Sequence, residues 1–171
     1  MSDTQERLKR EKDFHNETFA GDTRKAAKKY YKSASQSKSY YHQQLEDEIQ
    51  GKKVLEYGCG PGSAAFRLAE LGGQVHGIDI SDVAIQQSQE KAEGMGLDIH
   101  FQVMDAENLK FGDDTFDLIC GSGILHHLDL ESSYSEIRRC LKPGGKAVFF
   151  EPLGHNPVIN VYRNLTPKMR T

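Results

Sequence analysis

Val54-Leu55-Glu56-Tyr57-Gly58-Cys59-Gly60-Pro61-Gly62 is the stretch that decides the fold. An apolar run ends in an acid and then meets three glycines at alternate positions, the pattern of a buried strand entering a tight turn. The amphipathic segment Ser63–Leu71 that follows reads as a helix. A glycine turn of this kind lets backbone approach a ligand closely and aims the helix N-terminus at it. Downstream, Val75-His76-Gly77-Ile78-Asp79 reads as a second strand. Its last residue stands where such folds put a carboxylate for ribose hydroxyls.

The loop departs from the dinucleotide fingerprint G-x-G-x-x-G, because the glycines here are spaced G-x-G-x-G. Pro61 also removes one backbone N–H that a phosphate would use. Glu56, just before the loop, would repel a pyrophosphate and suit a cation. A ligand with an ammonium, a sulfonium and a ribose, and no phosphate, satisfies both Glu56 and Asp79. S-adenosylmethionine is that ligand, with S-adenosylhomocysteine as its product.

Outward from this loop, apolar strands alternate with amphipathic helices from Lys53 onward, the signature of βαβ units and a parallel sheet. Strands are expected at Lys53–Tyr57, Gln74–Asp79, Ile99–Met104, Phe116–Gly121 and Lys146–Glu151, with helices at Ser63–Leu71, Val83–Met95 and Leu130–Cys140. Ser81-Asp82 supplies an N-cap for the second of these helices, and Gly94 with Gly96 a stop. Lys142-Pro143-Gly144-Gly145 reads as a turn feeding the fifth strand. Residues 1–50 are charged and glycine-poor, with helical patches at Gln5–Phe19, Lys25–Lys32 and Ser39–Glu48. They form an expected helical cap on a cofactor-binding domain spanning 51–171.

Five blocks in order carry a family resemblance: VLEYGCGPG, GIDIS, the segment Met104-Asp105-Ala106-Glu107-Asn108-Leu109, FDLICGSGILHHL and LKPGG. Over about Lys53 to Glu151 the chain resembles class I S-adenosylmethionine-dependent methyltransferases of the small-molecule branch that includes quinone-ring methylases. The resemblance implies a Rossmann-like α/β fold with strand order 3-2-1-4-5. It also implies a further helix, which Asn156–Leu165 could begin, and two more strands, which this chain is expected to lack. Two readings follow: a fragment of a longer protein, which is preferred, or a short form that covers its exposed sheet edge by forming a homo-oligomer.

The resemblance also distributes roles. Asp105 accepts from the adenine amino group and the N–H of Ala106 reads a ring nitrogen, while Gly121 and Ser122 pass under the sulfonium and ribose. From the residues themselves, Gly58, Cys59, Gly60 and Gly62 contact the cofactor, Glu56 acts at its methionine end, Asp79 takes the ribose and Ile80 offers adenine an apolar face. Cys59 reads as a small residue fitting a tight turn rather than a nucleophile. Cys120 and Cys140 read as buried.

His126 and His127 are adjacent, so at most one points into the site. A histidine near neutrality can take a proton from a hydroxyl or amine; the alternative is a loop histidine that shapes the pocket. His126 is assigned to the cofactor side and His127 is the base candidate. Glu151 and His155 could face an acceptor or form an ordinary turn beside Pro152 and Pro157. A metal set of His126, His127, Asp129 and His155 lacks a familiar ligand spacing, so no metal is expected.

In the N-terminal region, Tyr30-Tyr31 and Tyr40-Tyr41 with Lys25, Lys28, Lys29 and Lys32 form either solvated helix faces or a lid over the site. Residues 1–53 hold 12 Lys and Arg against 9 Asp and Glu, whereas the whole chain carries a net charge of −3, which leaves no nucleic-acid footprint. An apolar run of membrane-spanning length and a signal-peptide pattern are both lacking. Three cysteines without metal spacing point to a reducing, cytoplasmic setting. The expected function is methyl transfer to a small-molecule acceptor. A non-catalytic binding module is the competing reading, and a nicotinamide dehydrogenase is disfavoured by the loop.

Overall fold

The computed structural model describes residues 3–20, 35–47, 49–62 and 64–151. The Lys25–Lys32 patch with Tyr30 and Tyr31, Ser63, Glu48, and the segment holding Pro152, His155 and Asn156–Leu165 lie outside the described residues. The elements run α1 (Asp3–Ala20), α2 (Ser35–Glu46), β1 (Lys53–Tyr57), α3 (Ala65–Glu70), β2 (Gln74–Asp79), α4 (Asp82–Met95), β3 (Ile99–Val103), β4 (Phe116–Ser122), a 3-10 turn (Leu125–His127), α5 (Leu130–Cys140) and β5 (Leu141–Phe150).

The five strands form one sheet in the order β3-β2-β1-β4-β5, and every neighbouring pair is parallel. Strand β1 is central, and both of its faces are buried as a parallel sheet requires. Side chains alternate across it. Val54 joins a core with Leu45, Leu68, Val75 and Ile85; Leu55 and Tyr57 join the opposite one with Ile78, Ile119 and Ile137. After β3 the chain crosses back to β4 on the other side of β1. This reversal opens a crevice at the carboxyl ends of β1 and β4, where open α/β sheets bind ligands.

The helices follow their expected boundaries where a cap is present. Ser81 Oγ accepts from Ala84 N at 3.1 Å and starts α4, and Gly96 ends it in the left-handed region at φ 66°. Gly94 lies inside the helix and does not stop it. Helix α3 is shorter than Ser63–Leu71, and a buried carboxylate rather than a local cap starts it, as described below.

The Lys142–Gly145 turn does not precede β5 but interrupts it. Phe116 pairs with Leu141, and Leu118 pairs with Lys146, so four residues of β5 bulge opposite Asp117. The Asp117 carboxylate holds the bulge by accepting from Lys142 Nζ at 2.9 Å and from Lys53 N at 2.8 Å. Those contacts keep its carboxyl below the usual range. The strand therefore begins directly after α5, earlier than Lys146.

Candidate active site

The glycine turn is built from the end of β1. Cys59 N donates to Ile78 O at 2.8 Å, and Gly62 N to Cys59 O at 3.0 Å. Gly58, Gly60 and Gly62 all have positive φ, at 63°, 52° and 80°. At Gly62 a Cβ would also lie 1.9 Å from the Phe66 ring, so only glycine lets α3 start this close to the turn.

Glu56 is 1% exposed and lies behind the turn. Its Oε1 accepts from Ala64 N at 2.8 Å and its Oε2 from Ala65 N at 2.9 Å. The carboxylate thereby takes up the amides at the start of α3 that would otherwise have offered a phosphate its seat. It is not part of the cavity wall. Its place in the site is indirect: it fixes the turn that carries the glycines.

Asp79 closes the opposite side of the turn. Its Oδ2 accepts from Gly60 N at 2.8 Å and its Oδ1 from Ser81 N at 2.9 Å. Each carboxylate oxygen has a second lone-pair direction, and the residue lines a cavity of about 360 Å³. Gly58, Cys59, Gly60, Gly62, Ile80, Asp105, Ala106 and Ser122 line the same cavity. Asp105 is held by a tight turn, its Oδ1 accepting from Glu107 N at 2.9 Å. The Tyr57 hydroxyl donates to the carbonyl of Ala106 and pins the following loop to β1.

Two further placements differ from the sequence reading. Gly121 is not in the wall; a Cβ there would lie 2.8 Å from Phe149 and 2.9 Å from both Ile124 and the carbonyl oxygen of Tyr57. Its smallness serves packing beneath the site rather than room for a ligand. The histidine at the cavity is not His126. His127 lines the cavity, whereas His126 does not, because Glu151 draws its ring away: His126 Nδ1 lies 2.8 Å from Glu151 Oε2.

Glu151 also accepts from Ile124 N at 2.9 Å and Leu125 N at 3.0 Å through its other oxygen. Burial alone would raise its carboxyl, but His126 and these two amides outweigh burial and hold it below the usual range. Glu151 thus shapes the turn after β4 and does not line the cavity. Asp129 caps α5 through Ser132 N at 2.9 Å. Within the set His126, His127, Asp129 and His155, His126 is thus engaged by Glu151 and Asp129 by the helix start, and His155 lies outside the described residues.

Cys59 is 1% exposed, and burial pushes its thiol well up, so it is no thiolate nucleophile. Cys120 and Cys140 are buried free thiols.

Sequence reasoning missed the roof. Arg7, Glu11, His15 and Phe19 of α1 all line the cavity. They recur at intervals of four, which puts them along one helix face, and that periodicity was the available signal. Helix α1 is fastened at both ends of the crevice. Arg7 forms an ion pair with Glu107 and donates to the carbonyl of His127 at 3.4 Å. Asn16 accepts from Ser81 Oγ at 2.6 Å and donates to Asp82 at 2.8 Å, with Lys12 also 2.9 Å from Asp82. Lys38 of α2 also lines the cavity. Among the described residues no helix is long and apolar enough to cross a membrane.

Comparison with known proteins agrees with this geometry. Residues 54–145, more than half of the chain, match the family model described as "Methyltransferase domain". A ubiquinone biosynthesis O-methyltransferase of Coxiella burnetii is 35% identical over 118 residues, covering 68% of this chain and 49% of the relative. Aklanonic acid methyltransferase DauC of a Streptomyces species is 35% identical over 114 residues, covering 64% of this chain and 52% of the relative. The chain spans about half the length of these curated relatives. Among solved structures, the PH0226 protein of Pyrococcus horikoshii superposes with a TM-score of 0.61 at 29% identity, over 73% of this chain and 57% of that one. An S-adenosylmethionine-dependent methyltransferase of Mesorhizobium loti superposes with a TM-score of 0.57 at 27% identity, over 63% of this chain and 50% of that one. By sequence match, strand order and crevice alike, the chain belongs to the methyltransferase-domain family.

Proposed function

We propose that this chain binds S-adenosylmethionine in the crevice and transfers its methyl group to a small-molecule acceptor by in-line displacement. The observation that carries the reading is the pairing of Asp79 with Gly60 on the rim of the cavity. It joins a carboxylate suited to two ribose hydroxyls to a turn whose helix-start amides Glu56 already occupies. A dinucleotide needs those amides; a sulfonium nucleoside does not.

The remaining donors and walls fit the same ligand. Asp105 and Ala106 stand where an adenine edge would be read, with Ile80 against the ring. Ser122 and the glycine turn border the ribose and methionine portions. The bound cofactor supplies an electrophilic methyl group and departs as S-adenosylhomocysteine. The chain's own part is to align the acceptor, exclude water beneath α1, and take a proton where the acceptor needs to lose one. His127, in the cavity wall, is the group that could receive that proton, whereas His126 is engaged by Glu151. The cavity also has apolar stretches from Leu8, Phe19, Ile124 and Leu128, which suit an apolar or aromatic acceptor.

Calorimetric titration with S-adenosylmethionine, with NADH as control, tests the assignment. Binding of the first alone, at micromolar level, is expected. Binding of NADH instead, or of neither ligand, would overturn it.

A further inference from the structure

Two residues of the roof and one of the turn after β4 bring three metal-ligand atoms together. Glu11 and His15 are one helical turn apart on α1, a spacing that stacks side chains on one face. Opposite them stands His127. Glu11 Oε2 lies 3.5 Å from His127 Nδ1 and 3.6 Å from His15 Nε2. One ligand atom from each residue falls within 4.8 Å of the other two. The imidazoles of His15 and His127 stand edge to face, their centroids 5.3 Å apart. All three side chains are partly withdrawn from solvent, with 31%, 21% and 11% exposure for Glu11, His15 and His127.

The separations are those of ion pairs and equally of ligands that share a metal ion. Direct hydrogen bonds place donor and acceptor at roughly 2.7–3.2 Å, and both carboxylate contacts are longer than that. Ligand atoms at about 2.0–2.2 Å from a tetrahedral zinc ion stand roughly 3.3–3.6 Å from one another. The Glu11 contacts already match that edge length. The ligand atoms of the two imidazoles lie within 4.8 Å of each other. Two neutral imidazoles and one carboxylate are also a donor set that suits zinc and neighbouring transition metals, and not calcium or magnesium.

We propose that Glu11, His15 and His127 form a divalent transition-metal site of the zinc class in the roof of the cavity. Three protein ligands leave a coordination position for water or an acceptor oxygen, as catalytic sites of this type do. Under the methyl-transfer reading, on which this part rests, the ion lowers the pKa of a bound acceptor hydroxyl. The O–H proton then passes to solvent, the oxygen attacks the methyl carbon, and the carbon–sulfur bond breaks to leave the thioether. His127 then acts as a ligand, and no histidine base is required.

The test is titration of the chelator-stripped chain with cobalt(II), followed by displacement with zinc. One ion per chain is expected, with the visible bands of four- or five-coordinate cobalt and no thiolate charge-transfer band. Glu11→Gln, His15→Ala and His127→Ala should each weaken zinc binding by about tenfold or more. His100→Ala, at an exposed strand position outside the cavity, should leave it unchanged. Glu11→Gln keeps the size of the side chain, and the thermal melt of each variant separates ligand loss from unfolding. Absence of binding, a thiolate band, or affinity indifferent to Glu11→Gln and His15→Ala would overturn the site. S-adenosylmethionine titration of the same stripped samples is independent, so loss of cofactor binding with metal binding intact would strike only the functional reading.

Discussion

The Gly60 amide donates to Asp79 Oδ2 across 2.8 Å, and this bond ties the turn after β1 to the end of β2. The carboxylate therefore serves the protein on one side and faces the cavity on the other. Asp79→Asn keeps the size of the group and removes its charge and one acceptor. Charge-assisted hydrogen bonds are worth about 1.5–3 kcal/mol each, so S-adenosylmethionine affinity should fall by roughly one to two orders of magnitude. Calorimetry measures it, and unchanged affinity would remove the ribose assignment.

Glu56 should matter more for stability than for ligand contact. Glu56→Gln leaves one of the two amides at Ala64 and Ala65 facing an NH2 group instead of an oxygen. A buried donor left without its acceptor costs about 1–3 kcal/mol. Urea denaturation should show a loss of that size. A variant as stable as the parent would mean that the start of α3 is held by something else.

Two glycines with similar backbone should respond differently to alanine. Gly62 and Gly96 both have positive φ, 80° and 66°, and an L-residue there costs about 1–2 kcal/mol. At Gly96 a Cβ meets open space, so that strain is the whole effect. At Gly62 the Phe66 ring must move as well. Gly62→Ala should therefore lose clearly more stability than Gly96→Ala, and should also distort the cavity. Equal losses in paired thermal melts would count against the packing of Phe66 on the turn.

Stability should decline on mild acidification because of His76. Its buried Nδ1 has no hydrogen-bond partner among the described residues, and the ring packs among His100, Phe111 and Phe116. Burial first, then His100 and Lys53, lower its pKa to about 4 from an ordinary 6.5. Between those values the unfolded chain binds more protons than the folded one, so folding stability rises with pH. It is fully present above about 6.5 and is lost as pH falls toward 4. His76→Leu should flatten that slope in denaturation series at pH 7 and pH 5; an unaltered slope would assign the effect elsewhere.

The parts of the molecule that were legible in the sequence are those fixed by local pattern. The strand positions, the glycine turn and the place of Asp79 follow from runs of a few residues with their own periodicity or turn chemistry, whereas the strand order came with the family resemblance. What escaped depended on distant partners. His126 and His127 are sequence neighbours, and the choice between them is made by Glu151, which becomes adjacent only when β5 pairs with β4. Gly121 is small because of Phe149, again across that pair. Helix α1 reads in sequence only as part of a helical cap, and its packing over the crevice turns Arg7, Glu11 and His15 into wall residues. The Lys142–Gly145 segment kept its turn chemistry, but Asp117 absorbs it as a bulge inside a strand.

Arg7, Glu11 and His15 occupy successive turns along a single line of α1, and each meets a different part of the site: Glu107, then His127 Nδ1, then the His127 ring. A helix attached along one line cannot peel away residue by residue without tilting as a rigid rod. Under the methyl-transfer reading, entry and exit would be coupled events, since the excursion that admits the cofactor would also release the spent one, and the lifting of this rod would compete with bond making as the slowest step. Raised salt, which weakens the outer ionic fastening at Arg7 and Lys12, should then quicken turnover before it harms it.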